Sequence, residues 1–526
     1  MEDFMEDFKE DDKENKEETY YIEPYIERPP KKKEPPKPKS PVDTLIEISN
    51  KKKKKLKPNY YFDLHLGRGC ILDLEEIEKG EIDVYVDFKT RLQHLGCIGT
   101  TGTGKTRLMI HMIVQDILAG NSVFIVDPKY DDTLLSSVIT AACVAGRLDD
   151  VIYFNPILPK ISNRINLLAS HYILDEIVDH VVTGVKAKEE YFENVAYEVT
   201  LSIVLGLYAL AKAKGEKFNI NFYEVKKWCS YNSLAELKNN LSYLTNSNNE
   251  EIRKLASDVI LSIDQILSSP ADFFAKVSSS LRTVLTSLSI STAGELIGKA
   301  SYNELLSRLE NGKSVIAYCN TGVMLMRKTS HIFGRILTSM IQSLIGRILA
   351  KGSKLVPPLI IYLDEGHNML YRGVDELFAK GRAANVSVNF FTQSISSIKN
   401  VMGEEYAKII MDNISTWIYF RVNCEETAML IENSLPKSKS YTKRFVPGKD
   451  GASVILGEAQ LPLYDAGRIT KLPNRRFILK LKDKIYICDT PEVKEPNLRI
   501  ILPLDLRAQT LAIMDEIANE ASVIFH

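Results

Sequence analysis

The sequence contains no Cys-x-x-Cys pair and no cluster of His and Cys at metal-ligand spacing. Its seven cysteines, Cys70, Cys97, Cys143, Cys229, Cys319, Cys424 and Cys488, are odd in number and widely scattered. That pattern argues against a disulfide scaffold or a structural zinc and points to a reducing cytosol. Neither sign of charge is in surplus, since 67 Lys+Arg against 68 Asp+Glu leave a net charge of −1. A globally basic nucleic-acid binder is thereby excluded, and any grip on nucleic acid has to come from positive charge concentrated in a pore, groove or tail. The first residues, Met1-Glu2-Asp3-Phe4-Met5-Glu6-Asp7, are acidic where a secretory signal is positive. The most apolar stretch, Val199 to Ala211, reads as too short for a bilayer and has Glu198 beside it. No transmembrane helix is expected, and the expected location is cytoplasmic, peripheral at the inner membrane only through a partner.

What remains is an ordinary globular composition, 45% hydrophobic and 26% charged over 526 residues, with room for a sizeable core. Residues 1–58 stand apart. They are acidic through Glu18, then rich in proline and lysine, including the run Lys51 to Lys55. Such a segment buries too little apolar surface to order itself, so a disordered tail is expected, either solubilising or touching an anionic partner.

The most informative residues are Gly99-Thr100-Thr101-Gly102-Thr103-Gly104-Lys105-Thr106, a complete G-x-x-x-x-G-K-T pattern. An apolar strand signal, Leu95-Gly96-Cys97-Ile98, precedes it, and an apolar helical stretch opening at Arg107 follows. In that context the glycines let backbone N–H groups converge on phosphates, and the helix N-terminus adds partial positive charge. Lys105 is expected to reach the terminal phosphates of a nucleoside triphosphate, and Thr106 to ligate Mg²⁺. Arg107 is counted with the nucleotide-binding residues. A second signal lies far downstream, in Leu359-Ile360-Ile361-Tyr362-Leu363-Asp364-Glu365. An apolar run ending in two carboxylates reads as a buried parallel strand delivering them to the carboxyl edge of a sheet, where ligand sites of open α/β folds lie. Asp364 is then the second Mg²⁺ residue and Glu365 the group that orients and polarises the attacking water. The plainer alternative is an Asp-Glu pair capping the next helix.

Strand and helix signals alternate around these motifs, at Ser122 to Lys129, Val151 to Pro156 and Lys313 to Cys319, which is the rhythm of a doubly wound sheet. Between about Ser170 and Gly298 the periods are helical and strand signals are nearly absent. The expected class is α/β: a RecA-like P-loop domain with a mostly parallel central sheet, split as 59–169 and 299–500 around an all-helical insertion at 170–298. A helical segment is expected at 501–526.

In this order the motifs resemble those of the TraD/TraG-type coupling proteins of conjugation and type IV secretion, within the HerA/FtsK superfamily of hexameric DNA-pumping ATPases. Beyond the glycine loop the resemblance rests on Asp127-Pro128-Lys129, on Asn155-Pro156 with Asn166-Leu167-Leu168, and on Asp364-Glu365-Gly366-His367-Asn368 followed by Gly381-Arg382 and Thr392-Gln393-Ser394. It implies that Gln393 senses the γ-phosphate or attacking water and that Arg382 acts in trans on a neighbour's triphosphate. It also implies ATP and Mg²⁺ as cofactors, a homo-hexamer, DNA held by its backbone without sequence reading, and a relaxase or other type IV secretion component as partner. Two features differ from the usual family pattern: a charged tail stands where membrane helices are common, making a membrane-anchored partner the route to the membrane, and the loop is closer to the general HerA/FtsK form. A protein-exporting secretion ATPase and a non-conjugative DNA motor therefore remain alternatives. His94 and His367 flank the nucleotide motifs and read as local hydrogen bonders.

Overall fold

The computed structural model describes residues 57–72, 80–159, 162–185, 190–448 and 451–493. The expected tail as far as residue 56 and the expected C-terminal helical segment lie outside the described residues. Thirteen strands are present among the described residues: β1 (Leu64–Ile71), β2 (Ile82–Val86), β3 (Leu95–Ile98), β4 (Ser122–Asp127), β5 (Val151–Phe154), β6 (Ile316–Asn320), β7 (Leu359–Leu363), β8 (Val386–Thr392), β9 (Thr416–Tyr419), β10 (Lys437–Gly448), β11 (Gly451–Pro462), β12 (Arg476–Leu481) and β13 (Lys484–Asp489). Eleven of them form one sheet in the order β2-β1-β13-β12-β9-β3-β8-β7-β4-β6-β5. The seven from β9 to β5 are parallel, and the four at the other edge pair antiparallel. Every residue of β3, β4, β6, β7 and β8 is buried, because helices cover both faces. This explains why these strands read as continuous apolar runs.

The parallel arrangement puts the carboxyl ends of β3, β8, β7, β4 and β6 on one rim. The helix Lys105–Ala119 leaves the rim after β3, and Asp132–Val144 follows β4, capped by the Asp131 side chain on the Leu134 N–H at 3.0 Å. From Asp175 to Ile297 the described residues contain helices and no strand. One buried cluster nevertheless runs from sheet residues such as Phe124, Ile152 and Leu363 through Ile332 and Leu337 to Leu234, Leu237 and Ile263 of the helical segment. The helices are thus continuous with the sheet core.

Two departures from the sequence reading concern this framework. The apolar stretch at Val199 belongs to a 25-residue helix, Glu190–Lys214, which together with Val323–Ala350 is long and apolar enough to cross a membrane by length and composition. Both place apolar faces in the core: Val199, Ile203 and Val204 from the first, and Ile332, Phe333, Ile336, Leu337 and Met340 from the second. The second is an antiparallel pair, β10–β11, in register from Lys437↔Pro462 to Gly448↔Gly451, in a stretch where the sequence reading places no strand.

Candidate active site

The loop after β3 is shaped by glycines at two positions. Gly102 and Gly104 have φ of 80° and 117°, left-handed values that side chains disfavour. A Cβ at Gly104 would also lie 3.3 Å from Arg475 Cα. Neighbouring backbone braces the loop from outside: Thr100 N–H donates to Arg421 O at 2.9 Å, Gly99 N–H to Thr392 O at 3.3 Å and Arg475 N–H to Thr103 O at 2.7 Å. Thr103 Oγ1 closes the turn on Thr100 O at 2.8 Å. Lys105 is buried and donates from Nζ to Gly99 O at 2.5 Å and Thr100 O at 3.0 Å, spanning the loop's concavity. Burial pushes its ammonium below the ordinary lysine range. Thr106 is half-buried in the first turn, and Arg107, also half-buried, donates to Val493 O at 3.0 Å.

The acidic pair ends β7, one strand removed from the loop. Register places Leu95–Ile98 beside Asn389–Thr392 of β8, and Leu359–Leu363 on the other side of β8. Loop and carboxylates therefore share one rim, with Gln393 issuing between them. Asp364 N–H donates to Val126 O at 3.0 Å, fixing the strand end against β4. Glu365 has φ 46°, ψ 44°, a left-handed conformation unusual for a side-chain-bearing residue. The turn places Glu365 Oε1 to accept from Gln393 Nε2 at 2.8 Å, while Oε2 is buried without a hydrogen-bond partner. His367 Nδ1 lies 3.1 Å from Thr392 Oγ1 and 3.7 Å from Glu365 Oε2.

Lys129 joins the pair from β4. Its Nζ contacts Glu365 Oε1 and lies 3.5 Å from Asp364 Oδ2. Asp127 holds this segment in place, its carboxylate accepting from the N–H groups of Lys129, Tyr130 and Asp131 at 2.9, 3.1 and 2.8 Å and from Tyr318 Oη at 2.5 Å. The electrostatics divide the two acids. Burial, with Glu365 and Asp127 close by, raises Asp364 to about 6 despite Lys129. Burial also works to raise Glu365, but hydrogen bonds from Lys129 and Gln393 outweigh it and hold that carboxyl below the ordinary range. Lys129 moves upward because the two carboxylates overcome its desolvation.

Of the residues singled out from sequence, Lys105, Thr106, Asp364, Glu365 and Gln393 therefore come to one rim. Arg382 does not. It is exposed in a short turn, Gly381–Ala384, just before β8 begins, at the rim opposite its own loop. Sequence reasoning treated Lys129 as a motif letter only. Its role became visible once β4 and β7 were neighbours, a relation no local signal carries. Asn155 and Asn166 are turn formers, accepting from Ile157 N–H and Leu168 N–H at 2.9 Å each. His94 uses both ring nitrogens on backbone, accepting from Val388 N–H at 3.0 Å and facing Phe378 O at 2.6 Å, and burial lowers it to about 4.

Residues 72–293 match the family model for the central domain of the helicase HerA, and residues 358–472 match the model for the TraM recognition site of TraD and TraG. The chain thus carries a region similar to the HerA central domain and, downstream of it, one similar to the TraM recognition site of TraD and TraG. No curated protein matches it. Among solved structures, the unbound bacterial conjugative coupling protein TrwBdeltaN70 is 16% identical, with 85% of this chain and 90% of that chain covered and a TM-score of 0.56. TrwB with a non-hydrolysable ATP analogue is 17% identical over 82% and 95% of the two chains, with a TM-score of 0.56. TrwB with ADP and Mg²⁺ is 16% identical over 83% and 97%, with a TM-score of 0.54. The shared feature is the fold. This chain has the large, mostly parallel sheet and the helical segment between β5 and β6.

Proposed function

We propose that this protein is an ATP-driven DNA translocase of the conjugative coupling type. The observation carrying the reading is the convergence of Lys105, Asp364, Glu365 and Gln393 on one rim, with β8 between the loop strand and the acidic strand. The TrwB relatives described with an ATP analogue and with ADP and Mg²⁺ support the nucleotide class, and the TraD/TraG recognition module supports a type IV secretion or relaxosome partner.

In this reading the backbone N–H groups from Gly99 to Thr106 hold the phosphates and Lys105 leaves the loop carbonyls for the terminal ones. Thr106 and Asp364 are the residues that would hold Mg²⁺. The donors fit a divalent cation: burial, with Glu365 and Asp127 adding to it, lifts Asp364 to about 6, a penalty that positive charge relieves, and Glu365 Oε2 is unpartnered nearby. When bound, such an ion would neutralise charge on the phosphates. Glu365 is ionised at neutral pH and orients the water, and Gln393 fixes Glu365 and reports on the γ-phosphate. Arg382, facing away from its own loop, serves a neighbouring subunit in a ring, where a guanidinium stabilises the charge developing in phosphoryl transfer.

Steady-state ATP hydrolysis measured with and without single- and double-stranded DNA tests the assignment. Several-fold stimulation by DNA is expected. Hydrolysis indifferent to DNA would support instead a polypeptide-exporting ATPase built on the same site.

A further inference from the structure

Three arginines are buried among the described residues: Arg91, Arg335 and Arg347. Two have carboxylate partners. Arg91 meets Asp116 at 2.7 Å, and Arg347 meets Glu176 at 2.6 Å and Glu310 at 2.9 Å. Arg335 has only backbone oxygens, donating to Gly184 O at 3.1 Å and His331 O at 3.3 Å, and no carboxylate of the described residues lies within ion-pair distance of it. It is 9% exposed, and burial lowers its guanidinium from the ordinary arginine range with only the more distant charge of Glu193 opposing. Removing an ion from water without a counter-ion is costly. The arrangement is explained if an anion arrives from outside.

Arg335 lines a cleft of about 1240 Å³ between the helical segment and the long helix Val323–Ala350. Arg327, Lys328 and Arg372 also line it, so four permanent cations face two carboxylates, Asp179 and Glu193. Much of the remaining wall is hydroxyl and amide, including Ser279, Thr283, Gln342 and Asn400. Guanidinium, ammonium, hydroxyl and amide donors are the groups that hold nucleic-acid backbone phosphates. The long helix has non-helical backbone at Met326 (φ −131°, ψ 47°), directly before Arg327 and Lys328 at the cleft. The cleft also reaches His367, which lies against Thr392 and Glu365 at the nucleotide site.

We propose that this cleft seats the sugar-phosphate backbone of single-stranded DNA, with Arg335 at its floor and Arg327 and Lys328 at its mouth. The proposal rests on the translocase reading and deepens it: occupancy is felt at Glu365 through His367, so strand and nucleotide are coupled over one shared wall.

The test is fluorescence anisotropy of a labelled oligothymidine with the full chain across a salt series, comparing wild type with Arg327→Ala/Lys328→Ala and with Arg335→Met. The double variant alters exposed side chains, and a thermal melt matching wild type establishes that it folds. The expected result is at least a tenfold loss of affinity and a log–log salt slope smaller by about 1.4, two contacts at 0.7 each for a single strand. Wild-type affinity and slope in the double variant would overturn the cleft assignment while leaving the translocase reading in place. Absence of DNA binding by the wild type would overturn both. Unchanged DNA binding with lost binding of a synthetic acidic peptide of residues 1–18 would overturn it in favour of a polypeptide occupant.

Discussion

Gln393 Nε2 donates to Glu365 Oε1 at 2.8 Å, joining the ends of two adjacent parallel strands 28 positions apart in sequence. The bond restrains a carboxylate whose own backbone is left-handed, so the Glu365 side chain is held from two directions. Gln393→Ala is therefore expected to lower kcat by about 10- to 100-fold, the scale of a positioned proton-transfer group. Nucleotide affinity should change little. Single-turnover hydrolysis alongside equilibrium binding of an ATP analogue separates the two.

Glu365→Gln removes the charge but keeps the shape. The expected outcome is retained nucleotide binding with hydrolysis reduced by at least about 100-fold, measured by phosphate release. Hydrolysis near wild type would assign Glu365 to capping the turn.

Asp364 has a carboxyl raised to about 6 in the folded chain, from an ordinary value of 3.8, chiefly by burial. For an acid shifted upward, the ionised form is the disfavoured one in the fold. The penalty is absent below the unfolded value and fully present above about 6. Asp364→Asn is thus expected to raise thermal stability at pH 7–8 by about 1–3 kcal/mol and to leave it unchanged near pH 3. Mg²⁺-dependent nucleotide binding should be lost. In the wild type that binding should weaken as pH falls through 6 and release protons there, as calorimetry in two buffers of different ionisation enthalpy would report.

Gly96 of β3 faces Trp417 of β9 in register, and a Cβ there would meet the ring at 2.4 Å. Trp417 cannot yield easily, since its Nε1 donates to Ile414 O at 2.9 Å and its ring is stacked on Tyr419. Gly96→Ala is expected to destabilise by about 1–3 kcal/mol through overpacking. Because β3 carries the phosphate loop, nucleotide affinity should fall with it.

Arg382→Ala and Lys105→Ala should each be inactive, for different reasons. If Arg382 serves a neighbour, mixing the two proteins restores part of the hydrolysis at junctions pairing an intact loop with an intact arginine. Additive, near-zero rates in the mixture would remove Arg382 from the mechanism.

Much of this site was legible because its chemistry is written in contiguous runs. The glycine loop and the strand ending in Asp364-Glu365 are local patterns, and parallel strands buried on both faces read as apolar runs. What stayed hidden depends on pairing or on edges. Lys129 reaches the carboxylates only through the β4–β7 register. The β10–β11 pair joins through Gly448-Lys449-Asp450-Gly451 in sequence, a hairpin signal that stands outside the strand–helix alternation of the parallel sheet. The helix Glu190–Lys214 extends beyond the apolar run Val199 to Ala211 because Glu198, at the edge of that run, does not end it: only one face has to meet the core.

In the proposed function the loop around Lys105 and the pair Asp364–Glu365 form one nucleotide-hydrolysing centre. Its most direct test is the ATP turnover rate of Lys105→Ala beside wild type, both verified as folded by thermal melt. Turnover is expected from wild type and none from the variant. A variant that hydrolyses ATP at the wild-type rate would contradict it.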